Sequence, residues 1–309
     1  MLVLLPVSRT TGREMVITVD DLPAVSVLPL SPSQRDAITS RLLRAFEDHR
    51  VPAIGFVNEN KVYDSTGAVD PARVGLLRRW LAAGLELGNH TWSHPNLDRT
   101  PLPAYEADIL RGERIIRPML QARGDSLRYF RHPFLNTGRS LAVRDSLLRF
   151  LAAHGYQVAP VTLDNGDYLF AAAYDRLRSV ADSAGARRVR AEYLDYLERV
   201  VGYYEGQAGA IVGRPFPQIL LLHANRLNAD TFDQLALLLE RRGYRFIPLN
   251  RALGDPAYRL PDRYDGPAGI SWLHRWALTR GVPRSVLGGE PQVPGWINQA
   301  AAAGAGTSS

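Results

Sequence analysis

Apolar positions recur along this chain with two alternating periods. Short runs rich in β-branched and aliphatic residues predict seven strands, at Met15–Val19, Ala53–Val57, Leu85–Asn89, Tyr129–Arg131, Gln157–Leu163, Ile219–Leu222 and Arg245–Pro248. Between them the apolar residues fall at helical spacing. Ser33–Asp48 opens on a serine cap and carries Ile38, Leu42, Leu43 and Phe46 along one face. Ala72–Ala83, Ala104–Leu120, Leu141–His154 and Thr231–Arg242 follow the same pattern, and Gly84, Gly155 and Gly243 stand where C-caps would fall. Strands alternating with helices predict parallel pairing through right-handed crossovers. Val19 leads into Asp20–Asp21–Leu22–Pro23 rather than into a glycine-rich phosphate turn. That argues against a nucleotide-binding sheet and favours a closed barrel.

Two segments break the alternation. Tyr168 to Pro217 forms a long insertion before the sixth strand, with a helix expected across Arg187–Tyr204. After Gly254 comes a Pro- and Gly-rich extension in which Trp272 and Trp276, four residues apart, suit a short helix packed on the barrel. The expected divisions are a lead-in at 1–14, a barrel at 15–253 with an insertion at about 169–217, an extension at 254–299 and a disordered tail at 300–309.

Composition narrows the function classes. With 46% hydrophobic and 22% charged residues the chain can bury a large core. The absence of cysteine among 309 residues removes disulfides, thiolate metal sites and a cysteine nucleophile. The formal charge of +6 invites a nucleic-acid partner, but Lys61 is the only lysine and the arginines are scattered among acids. Solvated helix faces account for that pattern, so no nucleic acid is expected, although a mild attraction to anionic polymers is. Apolar runs such as Ile219–Leu222 are far too short for a membrane span. Met1–Pro6 is too short for a signal core and no basic residues precede it. Location is left between the cytoplasm and, as the favoured expectation, the cell envelope or exterior with a leader outside this chain. Nothing in the pattern sets the oligomeric state.

Reaction-capable residues follow five of the seven predicted strands. Asp20 and Asp21 follow the first, His90 and His94 the third, Arg131 the fourth, Asp164 and Asp167 the fifth, and His223 the sixth. In βα barrels the C-terminal strand ends converge on one face, so the five positions predict one site. His90 and His94 have a spacing suited to metal binding, and Asp21 can add an oxygen ligand while leaving positions open, as in a catalytic centre. Taken singly, each feature has a plainer explanation. An Asp-Asp pair before proline is commonly an Asx-turn, a lone buried arginine a salt bridge, and a histidine ending an apolar run a packed core residue. A carboxylate beside Arg131 would be held ionised, and Asp167 would raise the pKa of His223.

The segments Thr18-Val19-Asp20-Asp21, His90-Thr91-Trp92-Ser93-His94-Pro95, Arg131-His132-Pro133-Phe134, Asp164-Asn165-Gly166-Asp167-Tyr168 and Leu220-Leu221-Leu222-His223 resemble, in order, the five motifs of the polysaccharide deacetylases. This is the NodB-homology group, carbohydrate esterase family 4, and the resemblance runs from about Met15 to Leu249. It implies an α/β fold, a distorted (β/α)7 barrel. It also implies roles: Asp20 as general base, Asp21, His90 and His94 as ligands of a divalent metal, and Arg131 orienting Asp20. Asp167 would pair with the general acid His223, Leu221 would line the acetyl-methyl pocket, and the Phe134 N–H would serve an oxyanion hole. Zinc is the expected metal, with cobalt, manganese or nickel as alternatives. Tyr168 stands where the family usually has tryptophan, and Trp92, Phe134 and Tyr168 offer apolar faces to pyranose rings. The implied activity is removal of acetyl from N-acetylated carbohydrate, a chitin-type oligomer or peptidoglycan glycan.

Rival hydrolases are an esterase on acetylated xylan and an amidase on a small non-sugar amide. A non-haem iron oxygenase could use the same three ligands but favours a double-stranded β-fold over βα alternation. A carbohydrate-binding barrel without activity would need neither base nor acid.

Overall fold

The computed structural model describes residues 13–303. Its centre is β1 (Arg13–Leu22), buried continuously from Met15 to Asp20. This burial on both faces reflects helices outside and a filled interior, the usual condition of parallel strands. The chain continues through α1 (Pro32–Asp48), β2 (Ile54–Val57), α2 (Pro71–Ala82), β3 (Glu86–Asn89), α3 (Leu102–Arg111) and α4 (Ile116–Gln121). After β4 (Tyr129–Phe130), α5 (Leu141–Ala153) and β5 (Gln157–Val158) come α6 (Asp167–Ser179) and α7 (Ser183–Val212). The barrel portion ends with β6 (Gln218–His223), α8 (Arg226–Arg241), β7 (Tyr244–Phe246) and α9 (Leu249–Leu253), and α10 (Trp272–Thr279) and α11 (Gly295–Ala302) follow.

The seven strands form one parallel sheet in the order β5-β4-β3-β2-β1-β6, with β7 pairing the start of β1 at Arg13–Met15. The sheet curls until a single parallel bridge, Leu163 to Leu220, links the segment after β5 to β6. The architecture is therefore the distorted (β/α) barrel expected from the sequence.

Alternation along the strands stacks the barrel interior in levels. Val16, Ile54, Tyr129, Ala159 and Ile219 form an apolar floor. One level up, the buried Arg131 guanidinium lies 4.7 Å from the Phe56 ring centre and donates to the Thr18 hydroxyl at 2.9 Å. Above that stand Asp20 and His223, which face each other in the β1–β6 register. Gly88 leaves room for this stack, because a Cβ there would sit 2.4 Å from a Phe56 ring carbon. Gly88→Ala should therefore destabilise the fold by about 1–3 kcal/mol through overpacking. It should also lower activity by displacing the Phe56 ring under Arg131. Urea unfolding and turnover of the same variant check both effects.

Several boundaries differ from the sequence expectation. The fifth strand stops at Val158, because Pro160 lacks a donor and the Val161 and Thr162 carbonyls accept from the Trp272 N–H and Ser271 hydroxyl at 2.7 Å each. The helix expected across Ala104–Leu120 is two, since Pro118 is tolerated only in a first turn and α4 starts two residues before it. The cap of α1 is Ser31 rather than Ser33, with Gln34 completing a reciprocal capping box. The helix expected at Arg187–Tyr204 is a segment of the longer α7, which follows α6 within the insertion. Gly84, Gly155 and Gly243 do take left-handed C-cap conformations, with φ of 76°, 77° and 83°. Ala300–Ala302, placed in a disordered tail, belong to α11; the rest of that tail from 304 onward and the first twelve residues of the lead-in lie outside the described residues. No helix among the described residues is long and apolar enough to cross a membrane.

Candidate active site

At the C-terminal strand ends the structure brings together Asp20, Asp21, His90, His94, Phe134, Asp164, Tyr168, Leu221 and His223 around one cavity of about 750 Å3. Adjacent strand residues point to opposite faces, so Asp20 and Asp21 could not both enter it from a regular strand. Asp21 resolves this with φ 71°, a left-handed turn at the irregular end of the β1–β2 ladder. Thr91, His94, Phe134 and Leu135 also have positive φ, of 68°, 58°, 55° and 54°. Backbone strain of this kind persists where the surroundings hold it, and here it gathers around the cavity.

Asp21, His90 and His94 can each offer one ligand atom, all within 4.8 Å of one another. His90 Nδ1 lies 2.8 Å from the Arg131 carbonyl, so it carries the proton and donates, leaving Nε2 free. Both imidazoles are held below the ordinary histidine value, first by burial, and are neutral as a ligand requires. Burial pushes the Asp21 carboxyl up, but Lys61 and then His223, His94 and His90 outweigh it and hold Asp21 well below the usual carboxylate range. Its buried Oδ1 is paired with the Lys61 ammonium at 3.1 Å and lies 4.0 Å from His90 Nε2 and 3.9 Å from His94 Nε2. An ionised carboxylate oxygen facing two free imidazole nitrogens suits a divalent cation. The His90–His94 segment is a loop. Asp108 accepts from the Trp92 and Ser93 N–H groups and the Ser93 hydroxyl, and Asn89 accepts from the Thr91 N–H.

Asp20 is almost fully buried beside this trio, its Oδ2 3.6 Å from His90 Nε2. Burial raises its carboxyl to about 6, against the pull of Arg131, whose Nε lies 3.9 Å from Oδ1. Across the ring, His223 Nδ1 sits 2.7 Å from Asp167 Oδ1, and the His223 N–H donates to Oδ2 at 2.9 Å. Asn228 donates to the same Oδ2 at 2.7 Å and to the His223 carbonyl at 2.9 Å. Burial would lower the His223 pKa, but the charge and hydrogen bond of Asp167 raise it to about 9. Asp164 is pushed by burial to about 7. The Asn165 amide fixes the wall beneath it by donating to the Leu221 carbonyl at 2.6 Å.

Phe134 and Tyr168 rim the cavity, 54% and 57% exposed, so both rings are open to a ligand. The Phe134 ring meets His94 edge-on at 4.5 Å between centres. Trp92 does not join them: the Arg111 guanidinium lies 3.2 Å from its ring centre, Tyr63 packs edge-on at 6.3 Å, and it does not line the cavity. Its expected substrate face is thus taken up by neighbours. One wall is aliphatic and unforeseen, built by Leu169, Ala171 and Ala172 of α6 against Ala301 and Ala302 of α11.

Residues 8–159 match the family model of the polysaccharide deacetylases. The first half of the chain is thus similar to the polysaccharide deacetylases. The matched stretch carries the Asp20–Asp21, His90–His94 and Arg131–Phe134 segments, and the Asp167–His223 pair lies beyond it. A chitooligosaccharide deacetylase of Sinorhizobium fredii is 31% identical over 129 residues, 42% of this chain and 50% of that protein. The chain thus spans half the length of this curated relative. Among solved structures, a mutant of the Bacillus anthracis CE4 family pseudoenzyme BA3943 is similar in fold at 16% identity and a TM-score of 0.50, over 79% of this chain and 68% of that one. The peptidoglycan deacetylase PdaC of Bacillus subtilis aligns over 78% of this chain and 90% of its own, at 18% identity and a TM-score of 0.46.

Proposed function

We propose that the protein hydrolyses the acetamide of N-acetylated carbohydrate, a chitin-type oligomer or peptidoglycan glycan. The observation that carries this is the placing of two differently tuned proton-handling groups, Asp20 and His223, on either side of the Asp21–His90–His94 trio. A pure binding site has no use for such a pair. Asp21, His90 and His94 would hold a divalent metal, zinc first on their donor set, which when bound polarises the amide carbonyl and acidifies water.

The protein's own groups do the rest. Asp20, ionised above about pH 6, takes the proton of the attacking water. Arg131 keeps that carboxylate in place from below. The developing oxyanion is met by the Phe134 N–H, a kind of donor typically worth about 3–4 kcal/mol. His223, protonated up to about pH 9, delivers its proton to the leaving nitrogen, so the amine departs neutral. Leu221 receives the acetyl methyl, and Tyr168 and Phe134 offer their exposed faces to the sugar rings.

Acetate release from N-acetylglucosamine oligomers, acetylated xylan and a simple anilide, each with and without chelator, tests this. Chelator-sensitive release from the oligomers is expected. Release from xylan alone would make the protein an esterase with the same machinery. Full activity in metal-depleted protein would overturn the metal role.

A further inference from the structure

A second pocket, of about 210 Å3, adjoins the catalytic cavity and shares Val25 and Ser26 with it as a common wall. Three cations line it: Arg35 from the first turns of α1, Lys61 and, from the start of α2, Arg73. Lys61 connects the two spaces, with its Nζ 3.1 Å from Asp21 Oδ1 and 3.3 Å from the Asp21 carbonyl. Arg73 fixes the backbone behind it by donating to the Tyr63 carbonyl at 2.5 Å and the Lys61 carbonyl at 3.4 Å.

The carboxylates nearby do not balance these cations. Asp70 caps α2 through the Ala72 and Arg73 N–H groups and pairs with Arg73 at 2.9 Å. Among the described residues Arg35 has no carboxylate within salt-bridge distance, and burial and Arg73 together lower its pKa against the pull of Asp70. Among the described residues Asp21 is the only acid paired with Lys61, and it is also the carboxylate of the candidate metal trio. Once Asp21 serves as a ligand its charge is shared, leaving Lys61 and Arg35 without full partners beside the substrate.

We propose that Arg35, Lys61 and Arg73 form an anion subsite that takes a carboxylate or phosphate substituent on the glycan, next to the sugar being deacetylated. The inference rests on the deacetylase reading and narrows it: the preferred substrate is an anionic glycan, not neutral chitin. A guanidinium and an ammonium converging on an open pocket suit an oxyanion, the guanidinium through two parallel donors. The pocket opens to solvent, so the attraction should weaken with salt.

Three disaccharides separate the outcomes: neutral di-N-acetylchitobiose, N-acetylglucosaminyl-N-acetylmuramic acid with its carboxylate, and a 6-phosphate of the first. Titration calorimetry on the metal-loaded protein, which needs no turnover, measures affinity, and acetate release is followed in parallel. At low ionic strength at least one anionic disaccharide should bind roughly tenfold more tightly than the neutral one. Which one binds better identifies the source of the anion. Arg35→Lys should keep most of the preference, Arg35→Gln should remove most of it, and Arg35→Glu should reverse it, with turnover of the neutral disaccharide unchanged in all three. Equal affinity for all three sugars, or a preference untouched by Arg35→Glu, would overturn the subsite. Acetate release from none of them, with the anionic preference intact, would sink the deacetylase reading instead.

Discussion

Replacing His94 by alanine should strip the protein of divalent metal and take acetate release to background. His94 is one of only three residues in the trio, and its Nε2 lies 3.9 Å from the carboxylate oxygen the cation would share. Loss of one of three ligands leaves a pair that cannot compete with water at micromolar metal. The fold should survive, because His94 lies on a loop held through Asp108 and Asn89 rather than through its own ring. Metal content by mass spectrometry of dialysed protein and melting temperature by calorimetry separate the two effects. Retained metal with normal turnover in this variant would remove the trio from the chemistry.

Asp20→Asn should behave differently: metal stays bound and turnover falls by about 10²- to 10⁴-fold, the usual worth of a positioned proton acceptor. The pH profile of the parent should rise as Asp20 loses its proton and fall as His223 loses its own. The shifts set the signs. Asp20 is raised to about 6, so the base is idle below that pH, and His223 is raised to about 9, so the acid is spent above it. A cation at Asp21 moves both limbs to lower pH, because it favours the deprotonated form of each group. The decisive comparison is therefore between parent and Asp167→Asn. Removing the Asp167 charge lowers the His223 pKa, so the alkaline limb should move to lower pH, and further than the acidic limb, because Asp167 is the main group raising His223 and only a minor one raising Asp20. An alkaline limb unmoved in Asp167→Asn would take His223 out of the acid role.

The positions of the seven strands could be read in the sequence because aliphatic runs and helical spacing alternate without overlap. The convergence of Asp20, His90, Arg131 and His223 followed from topology alone, since parallel strands all end on one side. What escaped was set by backbone conformation and by long-range contacts. Nothing in the pattern marks Asp21 or His94 as left-handed, because tertiary contacts rather than residue type hold them there. Asn89 and Asp108 escaped because their role is to hold a loop in place. Asp108 lies sixteen residues from Trp92, whose N–H it accepts. Lys61 escaped because a lone lysine in a turn looks like surface until its ammonium is found on Asp21. Trp92 illustrates the opposite error, an aromatic inside a motif whose ring is already occupied by Arg111. The amphipathy of α6 shows that one face is buried, not that α11 is among its neighbours or that the two would line the cavity.

The single bridge between Leu163 and Leu220 also bears on how such a protein can change over generations. The ring is joined there by one bridge and the backbone hydrogen bonds around it, just before the chain leaves for α6 and α7, so lengthening or replacing that excursion leaves the other strand pairings untouched. The backbone of His223 is held apart from that seam, because β6 pairs with β1 over six residues from Met15 to Asp20, and of the excursion only Asp167 at its start holds the His223 ring. Beyond Asp167 the wall of the cavity can therefore drift, acquire helices or recruit a distant C-terminal segment while Asp20 and His223 keep their separation. Chemistry and selectivity are inherited through different parts of the same barrel.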